Sequence, residues 1–198
     1  MTSLPTMIPK ISFHFVRHGE TDWNRAGRLQ GWADIPLNAR GEGQAESLAA
    51  ILAQSGDRFG FASIAASPLL RARRTAEILN GSLGLEIHFL DDLREIDVGP
   101  MAGETANGWF PAWRAGTNRD GVETFDAFTH RIARGLRAAL ALPGPVLIVA
   151  HGGVVWALER LMGLPVGQEI ANTTLVHFDP TGGAWRADIL HGGLEGAA

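Results

Sequence analysis

The chain of 198 residues predicts an α/β protein, a three-layer α/β/α arrangement around a mostly parallel sheet. Three observations carry that expectation. Short apolar runs rich in β-branched and aromatic residues alternate with amphipathic segments of helical period. Two of those runs, at about 11–16 and 146–150, lead directly into a histidine-glycine pair, with only Arg17 intervening in the first. The run Val146-Leu147-Ile148-Val149-Ala150 is apolar without alternation, as in a strand covered on both faces.

Residues 1–9 hold two prolines and no periodic pattern and read as a lead-in to the first strand. That strand ends in Arg17-His18-Gly19-Glu20-Thr21, and a polar, glycine-punctuated loop follows, carrying Trp23 and Trp32. Both tryptophans are read as anchors pinning the loop to the core rather than as a ligand platform. Asn38 is expected to cap a helix over about 39–54, with Ala45, Leu48, Ala49 and Leu52 as its buried stripe and Gly56 as its stop.

Residues 59–66 read as the second strand. Ser67-Pro68 then supplies a cap residue and a first-turn proline for a helix whose apolar face is Leu69, Ala72, Ala76, Leu79 and Leu83. Arg71 falls in the first turn of that helix, beside its positive end, whereas Arg73 and Arg74 read as a solvated face. A short strand at about 86–90 leads into an acidic stretch, Asp91-Asp92-Leu93-Arg94-Glu95-Ile96-Asp97, and then an irregular segment to about 120. So long an irregular piece inside a compact domain reads as a cover over a site, at about 91–120.

A long amphipathic helix is expected over 122–141, with Phe125, Phe128, Ile132, Leu136, Ala139 and Leu140 inward and Pro143-Gly144 closing it. After the strand at 146–150 come His151-Gly152-Gly153 and a helix to about residue 162. Strands at about 173–178 and 184–190 read as a hairpin joined by Asp179-Pro180-Thr181-Gly182-Gly183, and 192–198 as a disordered tail. The length suits one domain over residues 1–198.

Composition narrows the chemistry. With no cysteine in the chain, disulfides, zinc-thiolate sites and cysteine nucleophiles are excluded. The only lysine is Lys10, so no Walker phosphate loop and no buried Schiff-base lysine is available. A Gly-x-Ser-x-Gly elbow is missing too, which disfavours an ordinary serine hydrolase. Sixteen of the 17 basic residues are arginine, a bias that most simply reflects helix surfaces. The formal net charge of −4 argues against nucleic-acid binding. No apolar run approaches the roughly 20 residues of a membrane span, and residues 1–10 lack a basic start followed by an apolar stretch. The expected location is the cytoplasm, and the expected partners are a small substrate and at most a second copy of the chain as a homodimer.

Sheets of this class place their sites beyond the carboxyl ends of strands where the winding reverses. His18, the Ser67 to Arg71 stretch and His151 all follow strands at once. Together they would gather two histidines, two arginines and two helix N-termini, a positive cradle suited to a tetrahedral dianion. Taken alone, Arg17-His18-Gly19 could be a charged turn after an edge strand. Metal binding is the competing reading of the histidines, but neither has a partner at a ligand spacing and arginines at the same rim oppose a cation. His14, His88, His130, His177 and His191 read as core or partly exposed histidines.

These residues resemble the histidine phosphatase superfamily, also called phosphoglycerate mutase-like. The resemblance rests on Arg17-His18-Gly19-Glu20-Thr21 with Trp23-Asn24, Ser67-Pro68-Leu69-Leu70-Arg71-Ala72 with Thr75-Ala76, Leu93-Arg94-Glu95, and Ala150-His151-Gly152. It implies that His18 is phosphorylated, that Arg17, Asn24, Arg71, His151 and the backbone of Gly152 hold the phosphoryl group, and that Glu95 acts as proton donor and later as base. Asp91, Asp92 and Asp97 are close enough in sequence to compete for that last role. Substrate contacts are expected from residues 20–35 and 96–120, among them Gln30 and Gly31. No metal and no cofactor is implied.

The chain departs from the family's pattern in two places. Where cofactor-dependent mutases follow the acid with a basic and aromatic stretch, this chain has Ile96-Asp97-Val98-Gly99, and the insertion that would hold a second phosphate is short. The usual Gly-Glu-Ser before the long helix appears as Gly121-Val122-Glu123-Thr124. The first departure makes the chain resemble the phosphatase branch, a metal-independent phosphomonoesterase working through phosphohistidine. The alternatives are a 2,3-bisphosphoglycerate-dependent phosphoglycerate mutase and a non-catalytic phosphate-binding module.

Overall fold

Strands that must bury both faces settle in the middle of this sheet, and those with one wet face settle at its edge. The computed structural model describes residues 8–55, 58–106 and 108–192; the lead-in before residue 8, the helix stop at Gly56 and the tail beyond 192 lie outside them. In the described residues β1 (Phe13–Arg17), β2 (Ser63–Ala66), β3 (Ile87–Phe89), β4 (Val146–Ala150), β5 (Leu175–Asp179) and β6 (Arg186–His191) form one sheet in the order β3-β2-β4-β1-β5-β6. The pairs β3/β2, β2/β4 and β4/β1 are parallel, and β5 and β6 extend the sheet antiparallel. β4, apolar throughout, is buried throughout at the centre, whereas β6 is mostly exposed at the edge.

The period of two along each strand divides the core into two layers. Val16, Ile64, Ala66, Leu147 and Val149 face one way, against Leu48 and Leu52 of α2 (Ala39–Gln54) and Ala76 and Leu79 of α3 (Leu70–Leu83). Phe13, Phe15, Ala65, Ile148 and Ala150 face the other, with Ile132 and Leu136 of α5 (Phe125–Leu140) and Val154 and Leu158 of α6 (Gly152–Met162). The architecture is thus α/β/α around a mostly parallel sheet. A single-turn α1 (Asp22–Arg25) and the short α4 (Phe110–Arg114) complete the α-helices of the described residues.

Several boundaries differ from the expectations above, each for a local reason. α1 was not expected, because its capping box pairs Thr21 with Asn24 where the commoner signal has Glu or Gln. The second strand begins at Ser63 rather than at about 59. α3 begins at Leu70, and Leu69, in the cap position, makes no side-chain cap bond. Its first turn is held from outside instead, by Asp34 Oδ1 accepting from the Leu70 N–H at 2.6 Å. α5 starts at Phe125 because Thr124 caps it, accepting from the Ala127 N–H at 3.1 Å.

Candidate active site

The order β2-β4-β1 puts three strand ends side by side, since Arg17 is in register with Ala150 and Ala66 with Val149. Ser67, His18 and His151 therefore emerge together at one rim. Gly19 permits this by its size: a Cβ there would lie 2.3 Å from the Gly41 carbonyl oxygen of α2. Its close neighbour is thus a helix backbone, and its N–H donates to Thr75 Oγ1 at 3.1 Å.

His18 is 2% exposed, and its Nδ1 lies 2.7 Å from the Gly19 carbonyl oxygen. A carbonyl only accepts, so Nδ1 carries the proton and the Nε2 lone pair is free. Burial, followed by the charges of Arg71 and Arg17, holds the His18 pKa well below its usual 6.5. The imidazole is neutral at physiological pH, the form a nucleophile requires. His151 is fully buried, its ring centroid 5.3 Å from that of His18. Burial and then Arg71 lower its pKa in the same way.

Ser67, expected as a helix cap, has a second use. Its Oγ sits 2.7 Å from His151 Nε2, and it also receives the Leu69 N–H at a long 3.4 Å. A hydroxyl that accepts from a backbone N–H has its own proton to give. When that proton is given to Nε2, the His151 proton lies on Nδ1.

Arg71 is 1% exposed; Nη1 donates to the Ala33 carbonyl at 2.9 Å and Nη2 to the Gly31 carbonyl at 2.8 Å. Burial lowers its pKa to about 10, with Glu95 and Asp34 opposing the shift, so it remains a cation at neutral pH. Arg17, held by the Ile170 carbonyl, is also lowered by burial, with Glu95 and Glu169 opposing. The Nε atoms of both arginines and Nδ1 of His151 are buried without a hydrogen-bond partner.

A cleft of about 510 Å³ opens on this rim. Of the residues singled out from the sequence, Arg17, His18, Asn24, Gln30, Gly31, Arg71, Glu95 and Gly152 line it, and His151, which does not, lies edge-on beside His18. The Asn24 Oδ1 accepts from the Thr21 N–H at 3.2 Å, so Nδ2 is the donor side of this cleft-lining amide. Gln30 is tied to the Thr21 hydroxyl at 3.0 Å. Glu95 accepts from the Ile96 N–H at 3.0 Å and the Gly153 N–H at 3.2 Å. Asp91 instead pairs with Arg94, Asp92 with Arg134, and Asp97 takes the Gly99 N–H. Of those four carboxyls only Glu95 lines the cleft.

Other residues have places at the site that the sequence does not announce. Gly153 has to be glycine, since a Cβ there would stand 2.3 Å from Glu95 Oε1. Trp32 is no core anchor: it is 40% exposed, and its indole N–H donates to the Glu95 carbonyl at 2.7 Å. Trp23 pins its loop to the turn at Gly103 rather than to the core, its ring edge 3.2 Å from where a Cβ on that glycine would lie. Asn172 donates to the His18 carbonyl at 2.8 Å, beside Thr173, which holds a left-handed φ of 55°.

The fold and the rim define a class: an α/β/α protein with a buried, arginine-flanked histidine at adjacent strand ends. The chain belongs to the histidine phosphatase superfamily (branch 1), whose family model matches residues 13–191. It is 42% identical over 169 residues to the uncharacterized phosphatase PhoE of Bacillus subtilis, covering 82% of each chain. It is 33% identical over 197 residues to the probable phosphoglycerate mutase GpmB of Salmonella, covering 89% of this chain and 88% of that one. Among solved structures it superposes on a mycobacterial glucosyl-3-phosphoglycerate phosphatase complexed with VO3 with a TM-score of 0.76 at 31% identity, covering 90% and 97%. The family-level activity is accordingly that of a phosphatase or a mutase.

Proposed function

We propose that the protein is a metal-independent phosphomonoesterase that acts on a small phosphorylated metabolite through a phosphohistidine at His18. The observation that carries this reading is the set of three buried, unpartnered nitrogens around a neutral imidazole: Nε of Arg17, Nε of Arg71 and Nδ1 of His151. A buried donor left unpaired costs about 1–3 kcal/mol. Three such donors beside one nucleophile answer the equatorial oxygens of a phosphoryl group, where charge gathers in the transition state.

In the first step His18 Nε2 forms a bond to phosphorus while the ester P–O bond breaks, and Glu95 gives its proton to the departing alcohol. In the second a water attacks phosphorus, Glu95 takes the water's proton, and the N–P bond breaks to release inorganic phosphate and neutral His18. The guanidinium charges of Arg17 and Arg71 supply what a metal ion supplies elsewhere. A binding module would have no use for the Glu95 carboxyl.

The cleft wall away from His18 favours hydrolysis over the mutase alternative. Beyond the phosphate end the cleft is lined by Leu29, Ile96, Val98, Ala106, Phe110 and Trp156 together with the polar Gln168 and the acidic Glu169, and Arg28 is the one arginine there besides Arg17 and Arg71. A mutase must hold a second anionic group and keep water from the phosphoenzyme, and a largely apolar wall whose one exposed cation is offset by the Glu169 carboxylate suits neither a bisphosphate nor its turning. Trapping with a radiolabelled monoester in the presence of EDTA tests the reading. Labelled protein is expected from the wild type and none from His18→Ala; label retained by His18→Ala, or turnover that needs an added divalent ion, overturns it.

A further inference from the structure

The acid and the phosphate clamp are joined by three consecutive residues. Gly31 and Ala33 give their carbonyls to the Arg71 guanidinium, and Trp32 between them gives its indole N–H to the Glu95 carbonyl. That carbonyl accepts a second bond, from Arg131 Nη2 at 2.9 Å. Arg131, 8% exposed on α5, also donates through Nη1 to the carbonyls of Arg94 at 2.8 Å and Asp92 at 3.2 Å. Its other edge forks onto Glu123 at 2.9 and 2.6 Å, and Glu123 in turn accepts the Asp97 N–H at 3.1 Å. The Arg131 guanidinium also lies 5.6 Å from the Trp32 ring centroid. The backbone on both sides of Glu95 is thereby held by one buried cation and one exposed indole.

We propose that Trp32 and Arg131 are positioning residues for Glu95, setting the proton donor at a fixed separation from the phosphate gripped by Arg71. The proposal rests on the reading of Glu95 as the acid. Neither side chain needs to touch the substrate. They act through the Glu95 carbonyl, and an acid misplaced by about 1 Å can lose on the order of 10²-fold in rate. Because Arg71 is held by the carbonyls of Gly31 and Ala33, a change confined to the Trp32 indole leaves the phosphate grip in place.

Trp32→Phe is the primary test, since it keeps an aromatic ring at a 40% exposed position and removes the N–H together with part of the ring area. It is expected to slow a sugar phosphate, whose leaving group needs a proton, by roughly tenfold. Phosphorylation by 4-nitrophenyl phosphate and competitive inhibition by inorganic phosphate should change by less than about twofold. Arg131→Lys, which keeps the charge beside Glu123 but not the fork, should show the same selectivity. In a Glu95→Gln background Trp32→Phe should add nothing, because a residue that acts only through the acid has no effect once the acid is gone. Equal slowing of both substrates by Trp32→Phe, no slowing of either, or an undiminished effect in the Glu95→Gln background overturns the positioning role while selective slowing by Glu95→Gln leaves the acid standing. If Glu95→Gln itself slows both substrates alike, the acid reading falls and the positioning role falls with it.

Discussion

At the scale of single residues, the site depends on atoms that are missing as much as on those present. Gly153 lies in the first turn of α6, where its N–H meets Glu95 Oε2. Alanine there would gain up to about 1 kcal/mol of helix propensity, yet its Cβ would lie 2.3 Å from Glu95 Oε1 and 2.9 Å from Ile96 Cδ1. Gly153→Ala is therefore expected to keep the fold and to lose on the order of 10²-fold in turnover of sugar phosphates. A variant with wild-type rates would place Glu95 elsewhere during catalysis. Ser67→Ala tests the tautomer argument in the same way. Without the hydroxyl, His151 is free to carry its proton on Nε2, and one transition-state donor is lost; the rate should fall about 10- to 100-fold for every substrate irrespective of leaving group. Loss confined to poor leaving groups would move His151 from phosphate binding to proton transfer.

At the scale of elements, the segment between β3 and α5 supplies the acid and much of the cleft wall, and it is anchored in the core. Trp113 of α4 is 1% exposed, packs on Trp109 and Phe125 and donates its indole N–H to the Glu123 carbonyl at 2.8 Å. Trp113→Ala should cost about 3–5 kcal/mol and shift one cooperative unfolding transition. If near-ultraviolet and backbone signals instead separate, with the site segment lost first and the main transition unmoved, the segment is an independent lid. These elements also show what the chain discloses in advance. β4, α2 and the inward face of α5 were legible because burial imposes a period that local sequence must keep. The histidines at adjacent strand ends were legible because each is announced by its own strand. Arg131 and Trp32 were not. An arginine on a helix looks the same whether it meets water or reaches carbonyls 36 to 39 residues away, and no local pattern encodes that address. Ser67 misled for a related reason, since Ser-Pro is a helix-start signal and the hydroxyl's partner lies 84 residues on.

Across the whole molecule, three buried histidines held neutral make the fold sensitive to acid. His14, 8% exposed, stacks on His177 at 4.5 Å with Phe59 and Phe61 at its edges. Burial, and then the charge of His177, lowers its pKa from 6.5 to about 4. His18 and His151 are lowered too. For each, the folded state refuses a proton that the unfolded chain accepts near pH 6.5, so nothing is lost above that pH and stability falls as the pH drops below it. For His14 the fall ends near pH 4, where the folded protein also takes up the proton. A shift of this size corresponds to about 3 kcal/mol. Denaturant unfolding measured at intervals between pH 7 and 4 should therefore show a steep loss, and His14→Phe should lose less than the wild type by up to about 3 kcal/mol at the acid end. Sulfate, a tetrahedral dianion throughout this range, separates the other two: an anion beside His18 and His151 raises their pKa values in the folded state, so its stabilising effect should grow as the pH falls towards 5 in both proteins. Parallel pH curves for wild type and His14→Phe would mean that His14 is protonated inside the fold. A sulfate effect that shrinks between pH 6.5 and 5 would mean that the anion does not bind beside the two histidines.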